Sequence, residues 1–272
     1  MIIDKIVNIY FSPTHSTEKI VNSILKGMGI GDQRVINLNS LKQRYSVRFH
    51  FLPSEVVILG IPVYEERIPT LLYPVLYKIK GQHQLMILVV TYGNISPGIA
   101  LKQLYGIMSD QGFKITAAAS FIGEHSFSVA DTKFAPGRPD NQDLKKAVLF
   151  GEQIHKKIKS AKKIEDIQEL HIGGKLLSMG RFLPKHSEML FAHAPDINQQ
   201  LCQRCYQCLE SCPVNAIDSF SLKSREKLCI RCFACVRHCP TNARKVVFKR
   251  AILVRTLLKK LAKKRKEPKI YI

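Results

Sequence analysis

The sequence has no tryptophan, and no cysteine outside residues 202–239, although that short stretch holds all eight. Acidic residues are scarce as well: 21 Asp and Glu stand against 42 Lys and Arg, a net charge of +21. Such a surface attracts anionic partners, whether acidic proteins, nucleic acid or lipid headgroups, and says nothing about fold. No apolar run approaches the roughly 18 residues of a membrane span. The first residues, MIIDKIVNIYF, lack the flanks and cleavage site of a signal peptide. These two absences make a cytoplasmic location the expectation. Thiols stay reduced there, so clustered cysteines read as a metal site before they read as disulfides. At 272 residues the chain is long enough for one large domain and a smaller one.

The cysteines form two copies of one pattern. Leu201–Pro213, LCQRCYQCLESCP, returns as Leu228–Pro240, LCIRCFACVRHCP, and both copies read C-x2-C-x2-C-x3-C-P. A zinc ribbon also uses C-x2-C pairs, but has no need of a third cysteine at the same interval or of the trailing Cys-Pro. From about Asn198 to Lys249 the sequence resembles the two-cluster bacterial ferredoxins. In that family the fourth cysteine of each run ligates the other cluster. The resemblance implies one 4Fe-4S cluster on Cys202, Cys205, Cys208 and Cys239, and a second on Cys229, Cys232, Cys235 and Cys212. The second copy departs from the family by placing Arg244 where an aliphatic residue is usual. With Arg231, Arg237 and Lys245 it adds positive charge around the second cluster, which predicts the higher potential there. The alternative is a solvated basic face.

The first 160 residues alternate strand-like and helix-like patterns. Short apolar runs at Lys5–Phe11, Val35–Leu38, Val56–Gly60, Leu85–Thr91 and Lys114–Ala119 read as buried parallel strands. Helical spacing joins Ile20, Val21, Ile24, Leu25 and Met28. It recurs through Leu101, Leu104, Ile107 and Met108, and again through Leu144, Val148, Ile154 and Ile158. Five strands alternating with helices imply a doubly wound parallel sheet, whose ligands sit beyond the carboxyl ends of the strands.

Three loops at that edge stand out. The first, Ser12–Thr17, is rich in hydroxyls and runs straight into a helix, so it reads either as a phosphate cradle or as an ordinary helix cap. The second, Pro62-Val63-Tyr64, leads to Pro69, placed to start a helix. The third is Thr91-Tyr92-Gly93-Asn94. Tyrosines on two neighbouring loops can sandwich a flat ring, and with the hydroxyl turn they point to FMN.

The N-terminal part resembles a flavodoxin, whose phosphate loop runs T/S-x-T-G-x-T. Ser12, Thr14, Ser16 and Thr17 stand in that stretch, with His15 at the glycine position; histidine accepts unusual backbone angles better than most residues, though less well than glycine. The acidic surface usual in flavodoxins is missing. End to end, including GIPVYEERIP, TYGN and FIGEHSFS, the chain resembles the flavodoxin-ferredoxin fusion proteins of anaerobes. The resemblance implies a flavodoxin-like five-stranded sheet of order 2-1-3-4-5, a small α+β ferredoxin domain, FMN and two 4Fe-4S clusters. The expected activity is an oxidoreductase or electron relay in anaerobic metabolism. The competing expectation is a carrier, sensing or docking protein whose flavodoxin-like half holds no flavin.

The expected divisions are 1–160 for the flavin domain, 161–197 for an ordered connector, 198–249 for the ferredoxin domain and 250–272 for a basic amphipathic tail. Within the first, the long segment Ser120–Asp140 carries Glu124 and His125, candidates for covering the flavin or moving its protons. In the connector, a helical piece from Leu176 to Leu183 and the apolar residues Met189, Leu190 and Phe191 are expected to pack between the halves. The tail sets Leu253, Leu257 and Leu261 against five lysines. It reads as a packed terminal helix that faces an acidic redox partner, with peripheral membrane contact as the alternative. Nothing beyond charge supports nucleic acid, and a small-molecule substrate at the flavin stays open.

Overall fold

The computed structural model describes residues 5–128, 133–177 and 187–272. Its first half is a sheet of β1 (Lys5–Tyr10), β2 (Gln33–Asn37), β3 (Glu55–Pro62), β4 (Leu85–Tyr92) and β5 (Lys114–Ile122). All five are parallel, in the order β2-β1-β3-β4-β5. β4 is buried along its whole length, as is β5 after its first residue, and this explains why both read as unbroken apolar runs. Helices α1 (Ser16–Met28) and α5 (Asn141–Ser160) cover one face; α4 (Ala100–Asp110) and the short α3 (Tyr73–Leu76) cover the other. α2 (Leu41–Ser46) follows β2, with Ser40 capping it through the Gln43 amide. Pro69 opens a 3-10 turn, Thr70–Leu72, where a helix start was expected.

Alternation sorts the strand side chains between the two cores. Val7 and Ile9 enter one, while Ile6 faces α1 and α5 in the other. α1 and α5 touch at glycines: a Cβ on Gly151 would lie 2.0 Å from the Ile24 carbonyl oxygen, and one on Gly27 1.9 Å from that of Val148. This backbone contact fixes the angle at which α1 leaves the loop after β1.

The sheet has six strands, not the five expected. After the C-terminal helix Ala251–Ala262 the chain returns, and β6 (Lys269–Tyr271) pairs antiparallel with the outer edge of β5, Ala119 opposite Ile270. Three residues behind a lysine-rich stretch carry no readable period, and the partner strand is about 150 residues away in sequence, so only the tertiary pairing defines this strand. It also covers an edge that would otherwise be open. β5 runs to Ile122, which shortens the long segment after it.

The second half shows an internal two-fold repeat at the spacing of the cysteine runs. The short helices Gln207–Glu210 and Ala234–Arg237 are 27 positions apart. So are the left-handed residues Arg204 and Arg231, Tyr206 and Phe233, and Asn215 and Asn242. The bridges Ile197 to Arg244 and Ser224 to Ile217 obey the same offset. Apolar burial here is thin, with Ile217, Leu222 and Cys235 at its centre. A second small cluster joins the halves: Phe127 packs edge-on against Phe233 and Phe248, with Phe191 and Leu258 at its margin. Phe191 thus lies between the halves, whereas Leu190 is exposed. Most of the expected Leu176–Leu183 helix lies outside the described residues.

Candidate electron-transfer site

All eight cysteines are free thiols. Cys205 is exposed and Cys235 buried, with the other six between them; Leu201, Tyr206 and Phe220 of the same half are exposed as well. Burial pushes the Cys232 thiol up to about 12 and the Cys235 thiol well above the ordinary range, and Cys212 adds to both. Cys212 also raises Cys229, where burial is again the larger cause. Cys212, the fourth cysteine of the first run, is thus within electrostatic reach of the first three of the second, although among the described residues no three such side chains converge as ligands of a single metal ion. A neutral thiol is costly to ionise at such depth, so a metal that replaces the proton and takes the thiolate charge suits this donor set. The repeat also places backbone donors on sulfur: Ala216 N–H to Cys212 Sγ and Ala243 N–H to Cys239 Sγ, both at 3.2 Å.

The buried cysteine group faces the carboxyl edge of the sheet. Tyr64, on the loop after β3, is held by paired backbone bonds with Arg67. Burial drives its hydroxyl well above the usual tyrosine range, and Cys232 and then Glu188 raise it further against the pull of Arg44. Arg44, on α2, is buried. It donates to the carbonyls of Leu38 at 2.7 Å, Asn39 at 2.8 Å and, across the junction, Pro213. Its guanidinium lies 5.5 Å from the Phe11 ring centre. Burial lowers its pKa, while Tyr45, Tyr64 and Cys212 raise it. Neither Arg44 nor Tyr64's closeness to Cys232 was legible in sequence, because the partners are about 170 positions apart.

The loop after β1 keeps the turn that a phosphate cradle needs. His15 sits at φ 61, ψ 0, so it takes the left-handed angles of the glycine it replaces. Among the described residues, the amides of Thr14, Ser16 and Thr17 have no protein acceptor, and the hydroxyls of Thr14 and Ser16 have no partner. With the start of a 13-residue helix behind them, these groups fit a phosphomonoester. Ser12 instead accepts from the Glu18 amide at 3.1 Å, and the Thr17 hydroxyl meets that of Thr91 at 2.6 Å. The His15 ring spans Glu18 (Nδ1 to Oε2, 2.6 Å) and His238 of the ferredoxin half (Nε2 to Nε2, 2.9 Å). Sequence reading missed this last contact for want of any local signal.

The ring end differs from expectation. Tyr92 is buried near Arg138, Asp143 and Glu267, and burial lifts its hydroxyl to about 12. Tyr64 lies instead beside Cys232 and Arg44. Two local pulls separate them: the buried ion pair of Arg138 with Asp143, and the cysteine-rich half. Asn94 is committed to the tail. It donates to the carbonyls of Ala262 and Lys264 at 2.9 Å and accepts from Lys266 N–H at 3.0 Å. Pro62 pairs with Thr91 in register, and Val63 N–H reaches the Thr91 carbonyl at 2.7 Å, which ties the second and third loops together. Gly93 has no room for a side chain, because a Cβ there would lie 2.5 Å from the His125 ring. His125 accepts from Phe127 N–H at 3.1 Å. Burial, and then Arg237, depress it to about 4, so the ring stays neutral at neutral pH. Glu124 pairs with Arg237 at 3.2 Å across the junction.

The cations expected around the second cluster are placed unequally. Arg231 is buried but paired with Glu226, Arg237 with Glu124, and Lys245 is exposed. Arg244 is buried against the carbonyls of Pro195 and Leu222 and the Ser224 hydroxyl, and it lowers Cys235 against the effect of burial. Among the described residues no helix is long and apolar enough to cross a membrane.

Residues 194–240 match the family model for the 4Fe-4S dicluster domain. With the flavodoxin strand order of the first half, this match fits a flavodoxin-ferredoxin fusion. Among solved structures, this chain is similar to a flavodoxin from the domain Archaea, at 17% identity and a TM-score of 0.41 over 57% of this chain and 99% of that one. Oxidised flavodoxin 1 from Bacillus cereus gives 17% and 0.42, over 58% and 99%. Rubredoxin oxygen:oxidoreductase from Desulfovibrio gigas gives 18% and 0.41, over 58% of this chain and 36% of that protein. No curated protein matches the chain.

Proposed function

We propose that the fusion is an iron-sulfur flavoprotein that passes electrons between a partner protein, two 4Fe-4S clusters and FMN. The observation that carries this reading is the contrast within the cysteines: Cys205 is exposed, Cys235 is buried, and Cys232 acts on Tyr64 at the sheet edge. Cys202, Cys205, Cys208 and Cys239 would hold the outer cluster, and Cys229, Cys232, Cys235 and Cys212 the inner one. FMN would be held through its phosphate by the amides of Thr14, Ser16 and Thr17 and the hydroxyls of Thr14 and Ser16. Clusters supply one-electron transfer, and flavin links single electrons to pairs. The chain's own part is spacing and shielding. Phe127, Phe233 and Phe248 exclude water from the junction, and Arg237 clamps the His125 loop to the ferredoxin half. Leu201, Tyr206 and Phe220 offer an apolar landing at the outer cluster, with the +21 chain favouring an acidic partner.

A second reading has its own support: the tail occupies Asn94 and His238 approaches the phosphate loop, as in a flavin-free docking protein. Protein purified without oxygen decides between them. Two clusters' worth of iron and sulfide with about one FMN per chain is the expected result; full iron without flavin favours the second reading.

A further inference from the structure

Arg44 is a buried cation with no carboxylate. Its contacts are three carbonyls and an aromatic face, and among the described residues no Asp or Glu pairs with it. An unpaired charge at that depth is costly, so a folded chain that keeps one needs a counter-charge within reach. Its electrostatic neighbours are the neutral phenols of Tyr45 and Tyr64 and then Cys212, whose thiolate would be an anion and which adjoins the Pro213 carbonyl that Arg44 binds. Four thiolates around a 4Fe-4S core make a net dianion, which gains one more negative charge on reduction. Arg244 approaches the same cysteine group from the ferredoxin side, also without a carboxylate. The outer group has no comparable buried cation among the described residues.

We infer that Arg44, supplied by the flavodoxin-like half, is the counter-ion of the inner cluster and makes that cluster's reduction depend on the docking of the two halves. The inference rests on the cluster assignment proposed above. A fixed cation lowers the energy of the reduced cluster more than that of the oxidised one, so docked halves favour an electron waiting at the sheet edge. Separating the halves withdraws Arg44 and pushes the electron back toward the outer cluster. Arg44 acts here through charge and does not itself react; it is a positioning residue for the electron.

The test is a redox titration of the full-length protein, followed by electron paramagnetic resonance after iron and sulfide have been counted. The inner-cluster signal is assigned with a Cys205→Ser variant, which perturbs only the outer one. Arg44→Met keeps bulk against Phe11 and removes the charge; Arg44→Lys keeps the charge. At the potential where the wild-type inner cluster is half reduced, the Met variant should show a reduced-to-oxidised ratio about tenfold lower. The outer cluster should be unchanged and the Lys variant close to wild type. Two intact clusters with the same inner midpoint in Met and wild type would overturn the role of Arg44 alone. Wild-type protein with iron for fewer than two clusters would overturn the cluster assignment, and this inference with it.

Discussion

Glu188 should carry a proton at neutral pH. It begins the short helix Glu188–Phe191, where burial raises its carboxyl to about 8, helped by a hydrogen bond and like charge from Glu65 and opposed by Arg231. Glu65 is fixed in turn by the Ser187 hydroxyl at 2.7 Å and the Glu188 amide at 3.0 Å. Two carboxyls held this way share one proton. Between the ordinary value of 4.5 and about 8 the folded chain binds that proton and the unfolded chain does not. Stability therefore falls as pH rises through this window, by at most about 1.4 kcal/mol per pH unit. Full expression of the shift sets a ceiling of about 5 kcal/mol, and partial exposure brings the expected loss nearer 2. Glu188→Gln mimics the protonated acid and removes the slope. Thermal unfolding of both proteins, kept anaerobic, should show wild type losing ground to the variant between about pH 5 and pH 8, at about 2–4 °C per kcal/mol. Infrared difference spectra should show a protonated carboxyl in wild type at neutral pH that is missing in the variant. Parallel unfolding profiles, or no such band, would refute the shared proton.

Three further outcomes follow from the packing. Gly151→Ala drives a methyl into the Ile24 carbonyl and should cost about 1–3 kcal/mol or more in a urea midpoint, with loss of FMN affinity as α1 tilts. Asp143→Ala strands buried Arg138 and should cost about 3–5 kcal/mol, read by the same assay. His125, held neutral down to about 4, makes the fold lose stability as pH drops from about 6.5 toward 4, because only the unfolded chain takes up the proton. His125→Gln should flatten that part of the profile.

The sequence announced what local chemistry controls. β4 and β5 are buried on both faces, so their apolar runs were visible; the two cysteine runs stand out by their repeated spacing, and residues 194–240 match the 4Fe-4S dicluster model. Even the left-handed turn at His15 could be anticipated, because the loop pattern asks for it. What stayed hidden depends on pairs far apart in the chain. β6 exists only because β5 offers an edge, and Asn94 is taken up by a segment about 170 positions later. Tyr64 and Tyr92 share a loop type but go to opposite neighbours, one to the cysteines and the other to Arg138. Arg44 in a polar helix reads as a surface residue until the Pro213 carbonyl is placed beside it.

In the proposed function, electrons entering at the outer cluster reach the flavin through the inner one. Its most direct test is the rate at which a one-electron donor reduces bound FMN, measured by stopped flow in wild type and in Cys212→Ala, both loaded with flavin. The account predicts that wild-type flavin is reduced after the clusters, and that loss of the inner cluster slows flavin reduction sharply while the outer cluster still accepts electrons. Equal flavin reduction in the two proteins would contradict it.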